Sequence, residues 1–85
     1  MRKLYWASTC AHCNQGRLIF QTDITNRRLY VHCEDCEWGW LHPSDLAQVE
    51  KGFLAVLRDF ETRDPTLEEI EQSGWRNSLA GSFIA

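Results

Sequence analysis

Four cysteines in two close pairs are the feature of this sequence that most constrains its fold. Cys10-Ala-His-Cys13 and Cys33-Glu-Asp-Cys36 are both C-x-x-C pairs, and 19 residues separate them. Two thiolates three positions apart on a tight turn can both point at one ion, and a second such turn completes a tetrahedral shell of four sulfurs. This spacing is typical of a zinc site, so the sequence predicts one metal ion bound by all four cysteines.

Other uses of the cysteines fit the sequence less well. Disulfides would suit a secreted chain, but the N-terminal residues lack the apolar stretch of a signal peptide. A thioredoxin-like redox pair needs a βαβ unit, which does not fit here. Iron stays open as an alternative to zinc, because four-sulfur geometry alone does not separate the two. His12 and His32 stand beside the pairs and are expected to be exposed residues, since four cysteines already fill the shell.

A metal would also compensate for the small size of the chain. A domain near 85 residues buries only about 60% of its unfolded surface, so its stability is marginal without a staple. Structural zinc contributes on the order of 10 kcal/mol to the folding of small metal domains. Gly16 and Gly39 each follow the second cysteine of a pair by three positions. We expect them to take the positive φ that lets the chain leave a tight turn.

The segment between the pairs reads as a β-hairpin. Residues 17–23 and 28–32 are rich in β-branched and aromatic side chains, and residues 24–27 carry turn-forming ones. Residues 37–41 are predicted to form a third strand. On Cys10, Cys13, Cys33, Cys36, Gly16 and Gly39, residues 5–41 resemble a zinc ribbon, which implies a three-stranded antiparallel sheet with two cysteine knuckles.

The second half of the chain predicts helices. Apolar residues recur at three- and four-residue steps between 44 and 63, which indicates a long amphipathic helix; they are Leu46, Val49, Phe53, Val56, Leu57 and Phe60. The capping box Thr66-x-x-Glu69 predicts a short helix over 66–74, and residues 75–85 are left as a tail. The expected fold is therefore a single α+β domain, a zinc ribbon packed against one long and one short helix.

Composition and motifs argue against catalysis and against a membrane span. No apolar run approaches the roughly 20 residues needed to cross a bilayer, and we expect a cytoplasmic protein. His32-Cys33-Glu34 is formally H-x-E, but no further cysteine follows Cys36 to complete a deaminase motif. The sequence contains no nucleophile elbow and no phosphate loop. We therefore expect neither an enzyme nor a small-molecule substrate.

Charge and aromatic residues indicate a protein partner. Residues 1–43 carry a net charge of +1 and residues 44–85 carry −4, which together give −3. An acidic surface favours a basic partner, because complementary potentials speed encounter. Exposed tryptophans are common interface anchors, although large aromatics also fill small cores. The candidate contacts are Glu61, Glu68, Glu69, Glu71, Trp38 and Trp40.

The whole-chain pattern carries a second resemblance. With the string Cys-Glu-Asp-Cys-Glu-Trp-Gly-Trp-Leu-His-Pro over 33–43, this short, acidic, tryptophan-rich chain resembles small bacterial zinc-ribbon immunity proteins of contact-dependent or polymorphic toxin systems. The resemblance implies a protein that binds one cognate toxin domain, often a nuclease, and blocks it. A nucleic-acid-associated ribbon that uses Arg17, Arg27 and Arg28 is the alternative, and an adaptor subunit of a larger complex is a third interpretation.

Overall fold

The chain is mostly β-structure in a computed structural model that describes residues 2–57 and 59–85. Seven strands form one antiparallel sheet. They are β1 (Lys3–Thr9), β2 (Arg17–Asp23), β3 (Arg28–Cys33), β4 (Trp38–Trp40), β5 (Phe53–Leu54), β6 (Thr62–Arg63) and β7 (Gly81–Ile84). The one α-helix of the described residues, α1, spans Leu67–Glu71, and short 3-10 turns occupy Pro43–Asp45, Val49–Lys51, Ala55–Leu57 and Arg76–Ser78.

The sheet is built around the central β2–β3 hairpin. The strand order is β5-β4-β3-β2-β1-β7, and β6 adds to the end of β2 beyond β1. The hairpin register pairs Leu18 with Cys33 at one end and Asp23 with Arg28 at the other. Both cysteine pairs therefore lie at the same end of the sheet, where β1 turns into β2 and β3 turns into β4.

Both faces of the hairpin are buried. Leu18 and Phe20 point to one face and pack with Val31, Trp40 and Trp75, as the two-residue alternation of a strand requires. On the opposite face, the side chain of Tyr30 is fully buried and its ring contacts the rings of Phe53 and Phe60. Two covered faces explain why β2 is buried along almost its whole length.

The three predicted strands form where the sequence placed them, as β2, β3 and β4, but the predicted fold class is wrong. Within residues 2–57 and 59–85, the sheet has seven strands and no long helix packs on it. Residues 44–57 and 59–63 of the proposed helix contain 3-10 turns and the short strands β5 and β6 instead, and residue 58 lies outside the described residues. Val56 and Leu57, which belonged to the proposed apolar stripe, are 59% and 76% exposed.

The tryptophans of β4 explain why this segment is not helical. The indole N–H groups of Trp38 and Trp40 donate hydrogen bonds to the carbonyls of Val49 and Gln48, both at 3.0 Å. Buried indole N–H groups need such partners, and the backbone bends over β4 to supply them. Gly52 then passes so close that a Cβ there would lie 2.2 Å from the Trp38 ring nitrogen. A straight helix does not follow this path.

The C-terminal part agrees with the sequence at the helix start and differs beyond it. The capping box forms at α1: Thr66 Oγ1 accepts from Glu69 N–H, and the Glu69 carboxylate accepts from Thr66 N–H. The helix is shorter than the predicted 66–74. The predicted tail contributes β7, which pairs with β1 from Lys3 opposite Ile84 to Trp6 opposite Gly81.

Candidate metal centre

The four cysteine sulfurs meet at one point between the two turns. All four Sγ atoms lie within 4.8 Å of one another. Two of these separations join cysteines of different pairs, at 3.7 Å for Cys10 with Cys36 and at 3.5 Å for Cys13 with Cys33. The predicted ligands are thus brought together, and they can hold a metal ion.

The distances fit a tetrahedral metal and not a disulfide. Four sulfurs at ~2.3 Å from a central zinc are about 3.8 Å apart along each edge of the tetrahedron. The two short separations of 3.5 and 3.7 Å come close to this value, whereas a disulfide joins its sulfurs at about 2.05 Å. All four cysteines are free thiols.

The two knuckles, residues 10–16 and 33–39, have the same backbone pattern. The first sulfur of each pair accepts an N–H from two residues on, which is His12 for Cys10 and Asp35 for Cys33, both at 3.3 Å. The carbonyl of that first cysteine accepts an N–H from four residues on, Asn14 in one knuckle and Glu37 in the other. Such bonds fix the direction of each sulfur and partly balance its negative charge.

The left-handed residues of the knuckles are not the predicted glycines. Asn14 (φ 59°) and Glu37 (φ 64°), which directly follow the second cysteines, take the positive φ, and none of the described glycines does. Gly16 is needed for close approach instead: a Cβ there would lie 2.4 Å from Cys33 Sγ. At Gly39 a Cβ would lie 2.9 Å from the Val31 carbonyl oxygen. The expectation for φ was therefore wrong, although both glycines are sterically required.

The sulfurs differ in their ease of ionisation. Backbone N–H groups of Gly16 and Gln15 lower the pKa of the Cys13 thiol to about 7. Burial raises the pKa of the Cys36 thiol to about 12 and also raises that of Cys33. A positive ion among the four sulfurs favours the thiolate form of each, so a bound metal would lower the pKa of Cys33 and Cys36.

Neither histidine joins the sulfur group that the described residues form. The ring of His12 stacks on Trp38 with centroids 4.9 Å apart, and Nδ1 of His32 lies 3.5 Å from the Glu37 carboxylate.

Sequence reasoning missed the structural role of Glu34 in the second knuckle. Its carboxylate accepts from Arg17 N–H at 2.9 Å and Nε at 2.7 Å, which ties the second knuckle to the start of β2. Its place directly after Cys33 was the available signal.

The proposed partner-binding residues are not equally accessible. Trp40 is fully buried and Trp38 is half-buried, so a partner can touch only the latter. Glu69 pairs with Arg63 as well as capping α1, and this holds the pKa of its carboxyl at about 2. The other three acidic candidates are exposed; they are Glu61, Glu68 and Glu71.

The three arginines of the nucleic-acid alternative do not form one patch. Arg17 pairs with Glu34 and lies 3.7 Å from the centre of the Phe83 ring. Arg28 pairs with the buried Asp23 at the other end of β2. Because a strand rises about 3.3 Å per residue, the two ends of β2 are roughly 20 Å apart. Only Arg27 and Arg28 are neighbours, which is too little for a basic stripe.

Comparison with known proteins adds no relative. No protein family, no curated protein sequence and no solved structure matches this chain. Within residues 2–57 and 59–85, none of the helices has the length and apolar character to span a bilayer. The four-sulfur cluster is therefore the feature on which a functional argument rests.

Proposed function

We propose that this chain is a non-catalytic binding protein stapled by one zinc ion, and that it neutralises a basic toxin domain by direct contact in the cytoplasm. The cluster of four sulfurs carries the first part of the proposal. Four thiolates complete the usual coordination number of zinc, whereas catalytic zinc keeps one position for water or substrate. Cys10, Cys13, Cys33 and Cys36 would hold the ion, which when bound supplies folding energy.

The position of the cluster supports a structural role. It joins the β1–β2 connection to the β3–β4 connection at one end of the sheet. Cys10 and Cys33 are 1% and 0% exposed and belong to the core, whereas Cys13 and Cys36 are half-buried and pack against it. Iron in the same site would give the same scaffold, and elemental analysis of the purified protein separates the two metals.

The surface supports the second part of the proposal. The net charge of −3 counts the cysteines as neutral, and four thiolates around a divalent ion add a local charge of about −2. Glu61, Glu68 and Glu71 are exposed, and within the described residues none of them takes part in a salt bridge. Such carboxylates attract a basic partner at long range, and the half-buried Trp38 offers an apolar anchor.

Co-expression with a toxin domain tests this function. The reading frames that flank the gene for this chain should include one whose product stops growth when expressed, and growth is then measured with and without the chain. Rescue of growth together with a tight complex of the two purified proteins is the expected result. Failure to rescue, or a complex only with unrelated nucleic acid that weakens steeply with salt, would contradict the proposal.

Charge reversal tests the contact surface. Changing Glu61, Glu68 and Glu71 to lysine should slow association with the toxin domain while leaving the thermal melt nearly unchanged, since these residues are exposed. Glu69 is kept because it caps α1 and pairs with Arg63. Glu50→Lys, on an exposed 3-10 turn, is the matched control. An equal association rate for all variants would show that these carboxylates are only solvated surface.

A further inference from the structure

A cavity lies at the opposite end of the sheet from the sulfur cluster. Its volume is about 810 Å³, which is within the 300–1,000 Å³ range of small-molecule sites. Thr22 and Leu29, which pair across β2 and β3, form the sheet side of the cavity. The segment after β4 and the C-terminal end of α1 form the rest of its wall, through residues such as His42 and Gln72.

Positive charge outweighs negative charge in the lining. Three arginines, Arg27, Arg28 and Arg63, line the cavity, and Glu69 is the one acidic residue among the described residues of the lining. Glu69 pairs with Arg63, and the buried Asp23 pairs with Arg28 through Nε. Arg27 forms no ion pair among the described residues and is exposed. One full positive charge is thus left uncompensated at the cavity.

A buried hydroxyl without a partner marks the same cavity. Thr22 is 9% exposed, and its Oγ1 has no hydrogen-bond partner among the described residues. Native proteins satisfy almost all buried polar side-chain atoms, so an unsatisfied one needs an explanation. The hydroxyl is closed to solvent, so a ligand atom in the cavity would reach it and supply the missing partner once the Thr22 side chain rotates toward the cavity.

Apolar side chains complete the lining. Ile24, Leu41, Pro43 and Trp75 face the cavity, and Ile24 is 45% exposed. Sites for small organic ligands combine an apolar lining with a few polar groups that fix the orientation of the ligand. Arginine recognises phosphate and carboxylate groups through paired hydrogen bonds.

We propose that this cavity binds a small organic oxyanion, a phosphate or carboxylate group on an apolar body, which is held by Arg27, Arg28 and the Thr22 hydroxyl. This inference does not depend on the toxin-neutralising role, because the cavity excludes the acidic residues assigned to the toxin. The oxyanion is proposed as a bound ligand and not as the substrate of a reaction.

Titration of the zinc-loaded full chain with phenyl phosphate tests the proposal. Amide shifts in a nitrogen–proton spectrum should move for residues 22–29, 41–43 and 72–75 and saturate with a dissociation constant on the order of 1 mM, as for other small fragments. Benzoate is the second probe and tells carboxylate from phosphate; saturable binding of either in the cavity supports the proposal. Phenol, which lacks the oxyanion, should bind at least tenfold more weakly. Shifts that do not saturate, or that map outside these residues, would overturn it.

Two variants separate the site from general charge effects. Arg27→Gln should weaken the binding of the tighter probe about tenfold, whereas Arg76→Gln, at an exposed arginine outside the cavity, should not. Thr22→Val should weaken binding several-fold and yet leave the melting temperature unchanged or higher, because the hydroxyl has no partner to lose in the part of the chain that the structure describes. Equal losses at Arg27 and Arg76, or full binding by Thr22→Val, would contradict the assignment.

Discussion

The two cysteine knuckles share one backbone design but are supported by different surroundings. In both, a left-handed residue follows the second cysteine, but it is Asn14 in the first knuckle and Glu37 in the second. The glycine that follows packs against the opposite knuckle at Gly16 and against its neighbouring strand at Gly39. The repeated motif therefore fixes the backbone of the turn, and residues at equivalent positions contact different neighbours in the two knuckles.

The largest expected effect tests whether the two knuckles contribute equally to one metal site. Cys13→Ser and Cys36→Ser should each abolish the cooperative melt, because structural zinc contributes on the order of 10 kcal/mol in small metal domains. Removing the metal with a chelator should do the same to the unmodified chain. Circular dichroism melts and zinc stoichiometry measure this. A cooperative melt without metal, or tolerance of serine in one knuckle only, would break the equivalence.

The next effect separates the two glycines. Gly16→Ala places a methyl group against the Cys33 sulfur of the cluster, so it should destabilise the fold by several kcal/mol and weaken zinc binding. Gly39→Ala, whose methyl group would meet a backbone carbonyl, should destabilise the fold by about 1–3 kcal/mol with zinc affinity retained in the folded protein. Chemical denaturation and competition with a zinc-binding dye measure the two quantities. Equal zinc affinities in both variants would show that the glycines are equivalent after all.

Substitutions at Asn14 and Glu37, the two knuckle residues with positive φ, should change the free energy of unfolding by smaller amounts and in opposite directions. Glutamate in this conformation costs roughly 1–2 kcal/mol, whereas asparagine tolerates it. Glu37→Asn should therefore stabilise the fold by about 1 kcal/mol, reduced by the loss of the His32 contact. Asn14→Ala should destabilise it by a similar amount. Chemical denaturation of both variants is the measurement, and the same sign in both would contradict the explanation.

The smallest expected effect on stability is at Glu34 of the second knuckle. The equivalent position of the first knuckle is Ala11. Arg17 lowers the pKa of the Glu34 carboxyl below its ordinary value of 4.5. A lowered folded-state pKa means that the contribution of the carboxylate is complete above the unfolded pKa and is lost as pH falls through the folded value. Both partners are about one-third exposed, so the contribution should be below about 1 kcal/mol.

Glu34→Gln should therefore reduce the free energy of unfolding at pH 7, and the gap to the unmodified chain should stay constant down to about pH 5.5, because this range lies above the ordinary pKa of 4.5. Denaturant titrations between about pH 5.5 and 7, where deprotonated cysteines can still bind metal, measure the gap. A gap that changes within this range would show that the carboxylate is not held in its charged form.

Local chemistry in the sequence determined what could be predicted. The cysteine spacing located the sulfur cluster, the turn residues at 24–27 located the β2–β3 hairpin, and Thr66 with Glu69 located the start of α1. In each case the residues that specify the structure lie within a few positions of one another or share one ligand.

The remaining structure depends on partners that lie far away in the sequence. The three- and four-residue spacing from Leu46 to Phe60 also suits successive 3-10 turns, and the indole groups of Trp38 and Trp40 decide the outcome. β7 is a strand because β1 offers it a free edge, which the sequence of 81–84 does not reveal. The cavity combines residues from three separated segments, so no motif marks it.

The pairing of β1 with β7 has a mechanical consequence. Arg2 and Ala85 exchange backbone hydrogen bonds, N–H to carbonyl in both directions, so the two ends of the described chain leave the sheet side by side. A force that pulls these ends apart breaks the hydrogen bonds of this strand pair one after another, starting at the chain ends. The outer strand β7 should therefore peel away at low force, and the pull should next meet the buried Trp75 on one side and the pairing of β1 with β2 on the other.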